Sequence, residues 1–235
     1  MKNLEREFFI GIDLGVKEKK TTGVCILERA GENVFPLEVW CNQCQDIYGK
    51  DVLKQVGRYL KETKVIAIDA PLTIGKGKGK MRLYEKFLST KTFRQERVNP
   101  IPPALMPKFS DFSRELVEKL EKKGFVLGLN LIEVFPTLTK KVSNENLFPK
   151  VSKKKKLACK NENQKSALIC AKIAFLHSNF KTRYLGYKDG FLFLPEMSLW
   201  KDVWREKFYQ AWMARPRLKY HRLITNIFNK WKLNF

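Results

Sequence analysis

The order of apolar segments in the first part of the chain restricts the fold more than any other feature. Residues 8–14 form an apolar run that carries one acid, Asp13, close to its end. Two more apolar segments, residues 22–27 and 36–41, follow after short polar stretches, which is typical of consecutive antiparallel strands. Residues 46–62 then place apolar side chains at helical spacing. The beginning of the chain therefore predicts three strands followed by a helix.

The next apolar run, Val-Ile-Ala-Ile-Asp at residues 65–69, is short and unbroken until it reaches Asp69. Such a run indicates a strand that is buried on both faces, as in a parallel arrangement after a helical crossover. The predicted order is β-β-β-α-β, with an acid near the end of the first strand and another at the end of the fourth. A ribonuclease H fold begins in this order, so we predict an α/β domain with a mixed sheet.

The chain continues to alternate between helices and strands up to residue 195. Ser110 is placed to cap one helix, and a strand that looks buried carries Glu133. The helices and strands predicted in this part are residues 81–88, 110–123, 129–135, 161–178 and 191–194. We therefore predict a ribonuclease H-like domain over residues 1–195, in the order β-β-β-α-β-α-β-α.

Residues 196–235 differ in character, because Trp and Phe alternate there with Arg and Lys at helical spacing. The pattern covers residues 199–213 and 218–231 and predicts a basic helical hairpin that is added to the domain. We expect its aromatic stripe to pack on the domain and its basic edge to contact nucleic acid. Docking of a partner protein is the alternative. The basic residues of this edge are Arg205, Arg215, Arg217, Lys219 and Arg222.

The charge balance points to a polyanionic partner. The chain has 46 Lys and Arg against 24 Asp and Glu, a net charge of +22. Such an excess repels itself, whereas contact with phosphates releases counterions and favours binding. We predict DNA or RNA as the partner, with a solvated basic surface as the alternative.

The Gly-Lys alternation at residues 74–80 predicts a basic loop that brings Lys76, Lys78 and Lys80 to a nucleic-acid backbone, or else a disordered loop.

The remaining composition argues for a cytoplasmic protein without a membrane helix. No apolar run approaches the roughly 18 residues that a membrane helix needs, and the first residues are charged.

The five cysteines are an odd number, which argues against a disulfide framework. Cys41 and Cys44 have the spacing of zinc ligands, but a second such pair is missing from the sequence. Idle thiols are the favoured interpretation.

Asp13 and Asp69 are the candidate catalytic residues and metal ligands. A carboxylate at the end of a core strand is unfavourable unless it has a partner or a metal, and Mg²⁺ prefers oxygen ligands. Glu133 is the third candidate for both roles. The alternative is that these acids cap turns or pair with lysines. Arg82 has two interpretations, since it either holds a substrate phosphate or pairs with a core acid.

Several motifs together resemble a known family. They are Gly11-Ile-Asp13-Leu-Gly15 followed by Thr22-Gly23, Ile66-Ala-Ile-Asp69-Ala-Pro71-Leu72, Arg82-Leu-Tyr-Glu85, the Pro-rich residues 100–106, Ile132-Glu133-Val-Phe-Pro136, Ala167-Leu-Ile-Cys-Ala171 and Asp189-Gly190-Phe-Leu-Phe-Leu-Pro195. This set is similar to the predicted ribonuclease H-like nucleases labelled DUF429, over about residues 8–195. The resemblance implies an acidic site for Mg²⁺ or Mn²⁺ built from Asp13, Asp69 and Glu133, and a role for Arg82.

The chain departs from that family at one acidic position. The family has an Asp directly before the Ala-Leu of the last core helix, where this sequence has Ser166. Glu162 lies one helical turn earlier on the same face and is the candidate that replaces the missing oxygen ligand. Otherwise the site is weakened or inactive. Glu85 stands where the family has Asp, which keeps the charge but changes the reach.

The leading prediction is a metal-dependent nuclease that cleaves phosphodiester bonds of DNA or RNA. The second hypothesis is a catalytically weakened or inactive nucleic-acid-binding protein on the same fold. A third comes from Asp13-Leu-Gly15 with Thr21-Thr22-Gly23, which is similar to the phosphate loop of actin-like ATPases. Those proteins need two such domains, so this chain is too short for that function.

Overall fold

The structure is a computed structural model that describes residues 6–30, 39–76, 78–144, 151–152, 159–218 and 222–228. Over these ranges the protein is α/β, with one mixed β-sheet of nine strands and seven α-helices. The strands are β1 (Arg6–Asp13), β2 (Thr22–Ala30), β3 (Val39–Ile47), β4 (Thr63–Asp69), β5 (Leu131–Glu133), β6 (Val151–Ser152), β7 (Thr182–Tyr187), β8 (Gly190–Pro195) and β9 (Ile224–Thr225). The helices are α1 (Val52–Val56), α2 (Leu83–Leu88), α3 (Lys91–Gln95), α4 (Pro107–Glu121), α5 (Pro136–Val142), α6 (Glu162–Ser178) and α7 (Asp202–Ala214).

The strand order is β6-β3-β2-β1-β4-β5-β8-β7-β9. β2 runs antiparallel to both of its neighbours, whereas β1, β4, β5 and β8 run parallel to one another. The strands that carry Asp13 and Asp69 are adjacent, and these two residues are direct partners in the β1–β4 register. Both acids therefore lie at the same edge of the sheet.

Helices cover both faces of the sheet. On one face, α1 and α4 pack against Ile10, Ile12 and other alternate residues of β1, β2 and β4. On the other face, α6 packs against Phe9 and the residues that share its side of the sheet. A third apolar cluster joins α2, α3, α5 and α7 to β7 and β8. In the described ranges, no helix combines the length and the apolar character that crossing a bilayer requires.

The long predicted helix at residues 46–62 is largely wrong. Asp46 and Ile47 end strand β3, and α1 is a short helix between 3-10 turns at Gly49–Asp51 and Gly57–Glu62. The apolar positions themselves were predicted correctly, since Val52, Val56 and Tyr59 are buried. Only Val52–Val56 are α-helical, because the backbone on either side winds more tightly, as 3-10 turns.

Helix α4 begins earlier than its sequence suggested. It starts at Pro107, whose fixed φ suits the first helical position, and Ser110 lies inside the first turns. The Ser110 hydroxyl donates to the carbonyl of Pro103 instead of capping the helix. In contrast, α6 has the expected start, because the Asn161 side chain accepts a hydrogen bond from the backbone N–H of Gln164.

The C-terminal segment is only partly helical. α7 forms, and its Phe208 ring packs edge-on against Phe87, Phe93 and Trp200 at centroid distances of 5.6, 5.6 and 5.2 Å. The predicted second helix does not form over residues 222–228, where β9 pairs with the outer side of β7. Leu218 ends a 3-10 turn that begins at Arg215, and the other residues of that predicted helix, like most of the lysine-rich residues 150–160, lie outside the described residues.

Two glycines allow α6 to lie directly on the sheet. A Cβ at Gly11 would be 2.0 Å from the Ala167 carbonyl oxygen, and one at Gly23 would be 2.3 Å from the carbonyl oxygen of Asn163. Backbone atoms of a packed helix cannot yield as a flexible side chain does, so these positions have no room for a side chain. The close contact explains why both strands carry glycine beside the acidic edge.

Replacing Gly11 with alanine is therefore expected to lower the free energy of unfolding by about 3 kcal/mol, since α6 must move off the sheet. Gly57→Ala is the matched control, because an added Cβ there meets nothing within 4 Å and φ is −49°. The control is expected to gain roughly 0.5 kcal/mol. Urea unfolding of both variants measures the difference, and equal stabilities would contradict the close packing of α6.

Candidate carboxylate site

The centre of the candidate site is the pair of carboxylates at the ends of β1 and β4. Asp13 and Asp69 are each the last residue of their strand and are register partners. Side chains alternate along a strand, so both acids share the face of Gly11, which is the face covered by α6. Parallel neighbouring strands thus bring the two carboxylates to one point.

Both carboxylates are partly buried and have no partner to balance their charge. Among the described residues, neither Asp13 nor Asp69 takes part in a hydrogen bond or ion pair through its side chain. Burial and the charge of Asp46 raise the pKa of Asp13 to about 7. Burial, Asp13 and Glu133 raise the pKa of Asp69 well above its usual value. The pair therefore carries a proton near neutral pH unless a cation compensates it.

Asp46 is a further acid near the site, which the sequence reasoning missed. It is the partner of Gly23 on β2, and Gly23 is in turn the partner of Asp13, so the three residues form one row across the sheet. Its Oδ2 atom accepts hydrogen bonds from Asn161 (2.6 Å) and Gln164 (2.7 Å) at the start of α6. Its Oδ1 atom is buried without a hydrogen-bond partner. The misassigned helix at residues 46–62 concealed this position.

Glu133 belongs to a buried network centred on Arg82. The Arg82 guanidinium donates to both oxygens of Glu133, from Nη1 to Oε2 at 2.5 Å and from Nη2 to Oε1 at 2.8 Å. It also donates to Glu85 at 2.5 Å. Tyr84 donates its hydroxyl to Oε1 of Glu133, and the backbone N–H of Leu72 donates to Oε2 at 3.0 Å. Each oxygen of Glu133 therefore accepts two hydrogen bonds.

This arrangement argues against two of the sequence-based interpretations. Glu133 is the register partner of Ile68 rather than of Asp69, so alternation turns its side chain to the other face of the sheet. It lines the same cavity as the aspartates but does not join them as an unoccupied oxygen donor. Arg82 is 1% exposed and pairs with core acids, which is the second of its two interpretations and not the phosphate contact.

The Arg82 guanidinium keeps its charge in this interior. Burial alone would lower the pKa of Arg82, but the charge of Glu133, together with Tyr84 and Glu85, outweighs that effect and raises the pKa well above its usual value. A guanidinium with fixed bidentate partners is rigid. The network therefore fixes the wall of the cavity beside Asp69.

The structure does not bring Glu162 to the aspartates. Its side chain is exposed in the first turn of α6 and forms a 2.6 Å ion pair with Lys165, so it does not supply the oxygen ligand expected from it.

Ser166 is half-buried and lies between two residues that border the site. Asn163, three residues earlier, lines the cavity, and Cys170, four residues later, is close enough to Asp69 that the charge of Asp69 helps to raise the pKa of its thiol. Helical spacing places Ser166 between them on the same face. A hydroxyl thus stands where the family has a fourth acid.

A cavity of about 1060 Å³ opens above the two aspartates. Apolar residues form most of its outer wall, including Ile101, Met106, Phe109 and Phe112 from the Pro-rich segment and the first turns of α4. Lys17 and Lys108 also line it, and Lys17 lies 5.5 Å from the centre of the Phe112 ring. In the ranges with described side chains, no cluster of three or more His, Cys, Asp or Glu is arranged as a metal centre.

The predicted nucleic-acid-binding residues differ in their surroundings. Lys76, Lys80, Arg217 and Arg222 are exposed. Arg205 and Arg215 instead have intramolecular partners: Arg205 donates to the carbonyl of Met197 and to Asp202, and Arg215 stacks on the Trp212 ring at 3.7 Å. The side chain of Lys78 and all of Lys219 lie outside the described part of the chain.

Comparison of the chain with protein-family models, with curated proteins and with solved structures finds no match. The resemblance to the DUF429 family therefore rests on sequence motifs alone, and the function has to be argued from the chemistry of the site.

Proposed function

We propose that this chain is a metal-dependent nuclease that cleaves phosphodiester bonds of DNA or RNA. The observation that carries the proposal is the unpartnered pair of Asp13 and Asp69, held side by side at the floor of an open cavity. Two ionised carboxylates this close repel each other, and a protein gains nothing in stability from leaving them unpaired. A bound cation is the simplest reason for such a pair.

The sheet supports a ribonuclease H-like fold for this function. Its central strands have the order β3-β2-β1-β4-β5, with β2 the antiparallel member, and β1 to β4 follow one another along the chain as the sequence predicted. Strands β8, β7 and β9 extend the sheet beyond β5, and β6 borders β3. The DUF429-like motifs at Asp13 and Asp69 then correspond to the carboxylate pair, and we include that family assignment in the proposal.

The two aspartates fit a hard divalent cation. Mg²⁺ is commonly held by one or two carboxylates together with water and phosphate oxygens of the substrate, so Asp13 and Asp69 are a sufficient set of protein ligands. Their raised pKa values fit as well, because a cation beside them would favour the ionised forms. Bound Mg²⁺ or Mn²⁺ would supply Lewis-acid polarisation of the phosphate and a more acidic water.

The chain's own residues would position the nucleic acid. Lys17 and Lys108 line the cavity. Lys108 is exposed and is placed to neutralise a phosphate next to the reacting group, whereas Lys17 would first have to exchange its 3.0 Å ion pair with Glu115 for a phosphate. The aromatic and apolar wall excludes water from one side of that group, which strengthens the charge interactions inside. The net charge of +22 favours association with polyanions over the whole surface.

The decisive experiment is a cleavage assay on purified full-length protein. Labelled single- and double-stranded DNA and RNA are incubated with Mg²⁺, Mn²⁺ or EDTA. We expect cleavage that needs the metal and that falls by at least about 100-fold in Asp13→Asn, because one of two metal ligands is lost. Asp202→Asn is the matched control, since its carboxylate is 93% exposed on α7 and its loss should leave cleavage unchanged. Cleavage that survives EDTA or Asp13→Asn would refute the metal site.

A non-catalytic nucleic-acid-binding protein is the second candidate. Two observations favour it: Ser166 stands at the position of the fourth acid, and Glu162 points to solvent instead of replacing it. Tight binding that weakens steeply with salt, without cleavage of any of the four substrates, would support this function over the nuclease.

A further inference from the structure

Four of the five cysteines lie together where β2 and β3 meet the segment that leads into α6. Cys25 on β2 is the register partner of Cys44 on β3. The register of this pair shifts by one residue between Gln43 and Cys41, so Cys41 and Cys44 both pack in the apolar cluster beneath α6. Cys159 comes from far along the chain, shortly before α6. None of these thiols has a role in the proposed cleavage.

Two of these thiols are close enough to react with each other. The Sγ atoms of Cys44 and Cys159 are 3.3 Å apart, although 115 positions separate the residues in the sequence. A disulfide bond is about 2.0 Å long, so small side-chain rotations bring the two sulfur atoms into bonding range. Tertiary folding, and not sequence proximity, creates this pair.

The surroundings of the pair favour the thiolate of Cys44, and Cys159 gives the pair partial access to solvent. Hydrogen bonds from Cys159 and then Cys25 lower the pKa of the Cys44 thiol to about 4, although burial and Asp46 oppose them. The thiolate is the nucleophilic form of cysteine. Cys159 is half-buried and Cys44 is 8% exposed, whereas Cys25 is completely buried. A small oxidant therefore reaches this pair more readily than it reaches Cys25.

We propose that Cys44 and Cys159 are an oxidisable pair that forms a reversible disulfide with hydrogen peroxide as the oxidant. The Cys44 thiolate attacks one peroxide oxygen, the O–O bond breaks, and Cys44 becomes a sulfenic acid. The hydroxide that leaves takes the thiol proton of Cys159 and becomes water. The Cys159 thiolate then attacks Sγ of Cys44, the S–O bond breaks, and a second hydroxide leaves and is protonated by solvent. The two sulfurs lose two electrons in total and the peroxide gains them.

The new bond would act on the part of α6 that borders the candidate site. Cys44 is two residues before Asp46, and Cys159 is two residues before Asn161, which donates to Asp46. A disulfide there ties β3 to the start of α6 beside an existing contact, and Asn163 in the first turn of α6 lines the cavity. Because the bond closes a long loop, the oxidised protein is expected to melt several degrees higher than the reduced protein.

Peptide mapping tests the proposal on the full chain. Reduced protein, freed of metal with EDTA, is treated with hydrogen peroxide, unfolded, alkylated, digested and analysed by mass spectrometry. We expect a peptide in which Cys44 is linked to Cys159, with the mass of two hydrogens lost, and a return to separate peptides with dithiothreitol. Cys44→Ser and Cys159→Ser should each abolish the link. Cys41→Ser is the matched control and should keep it.

Each other product contradicts the proposal. A link between Cys41 and Cys44, which Cys41→Ser would abolish, would show that the neighbouring cysteine is the true partner. Irreversible oxidation of Cys44 without any link would show that Cys159 does not reach it. Protection of all these thiols by a tightly bound metal would show that the cluster is a metal site instead. The result does not depend on nuclease activity, so it stands or falls separately from the proposed function.

Discussion

Replacing Arg82 with methionine is expected to lower the free energy of unfolding by about 3–5 kcal/mol. The guanidinium is 1% exposed and holds Glu133 and Glu85, which are themselves buried. Methionine fills a similar volume, but it leaves two carboxylates in the interior without their cation. The loss comes mainly from those unpaired charges, and less from the missing hydrogen bonds.

Urea unfolding at neutral pH measures the effect of the Arg82 substitution. Arg94→Met is the matched control, because Arg94 is exposed and its replacement is expected to change the stability by less than about 0.5 kcal/mol. Adding Glu133→Gln to Arg82→Met should recover part of the loss, since it removes one unpaired charge. If Arg82→Met costs no more than Arg94→Met, the buried network does not exist as described.

The second large effect concerns the pH dependence of the metal-free protein, which Asp69→Asn is expected to reduce. The folded-state pKa values of Asp13 and Asp69 lie above the usual value for Asp, chiefly because both groups are buried. The folded state therefore holds protons that the unfolded chain releases. The contribution of these bound protons to the free energy of unfolding is fully present below about pH 4 and is lost as the pH rises through the folded-state pKa. That pKa is about 7 for Asp13 and is raised well above the usual value for Asp69.

Each such carboxyl lowers the unfolding free energy by at most about 1.4 kcal/mol per pH unit in that window. The amide of the Asp69→Asn variant carries no charge, so the variant should gain stability relative to the wild type as the pH rises above about 4, by at most about 1.4 kcal/mol per pH unit. The difference between the two proteins reports the titration of Asp69 together with its coupling to Asp13, because the other titratable groups are shared. Thermal and urea unfolding in EDTA across this range provide the measurement.

The same pair of proteins connects stability to the proposed metal. Mg²⁺ should raise the melting temperature of the wild type by compensating the two carboxylates, and it should raise that of Asp69→Asn much less. A stability difference that does not change with pH would contradict an unpartnered, partly buried Asp69. Equal stabilisation of both proteins by Mg²⁺ would show that the cation binds elsewhere.

The sequence determined the part of the site that depends on strand order. Unbroken apolar runs that end in Asp13 and Asp69 specify buried strands, and the helical segment between them allows a parallel crossover. Adjacent parallel strands must end at the same edge, so the meeting of the two acids followed from local patterns. The start of α6 at Asn161 was equally visible, because a helix cap is a local interaction.

The partners of the remaining acids were decided only by the tertiary structure. Whether Glu133 faces the side of the aspartates or that of Arg82 depends on the register of β5 against β4, because moving that register by one residue would turn the side chain to the opposite face. Likewise, Asp46 shares a row with Asp13 only because β2 pairs with both β1 and β3 at Gly23, and Cys44 contacts Cys159 across 115 positions. The spacing of apolar residues along one segment predicts the secondary structure of that segment. Contacts between distant segments depend instead on strand register and on the packing of helices against the sheet, which no single segment specifies.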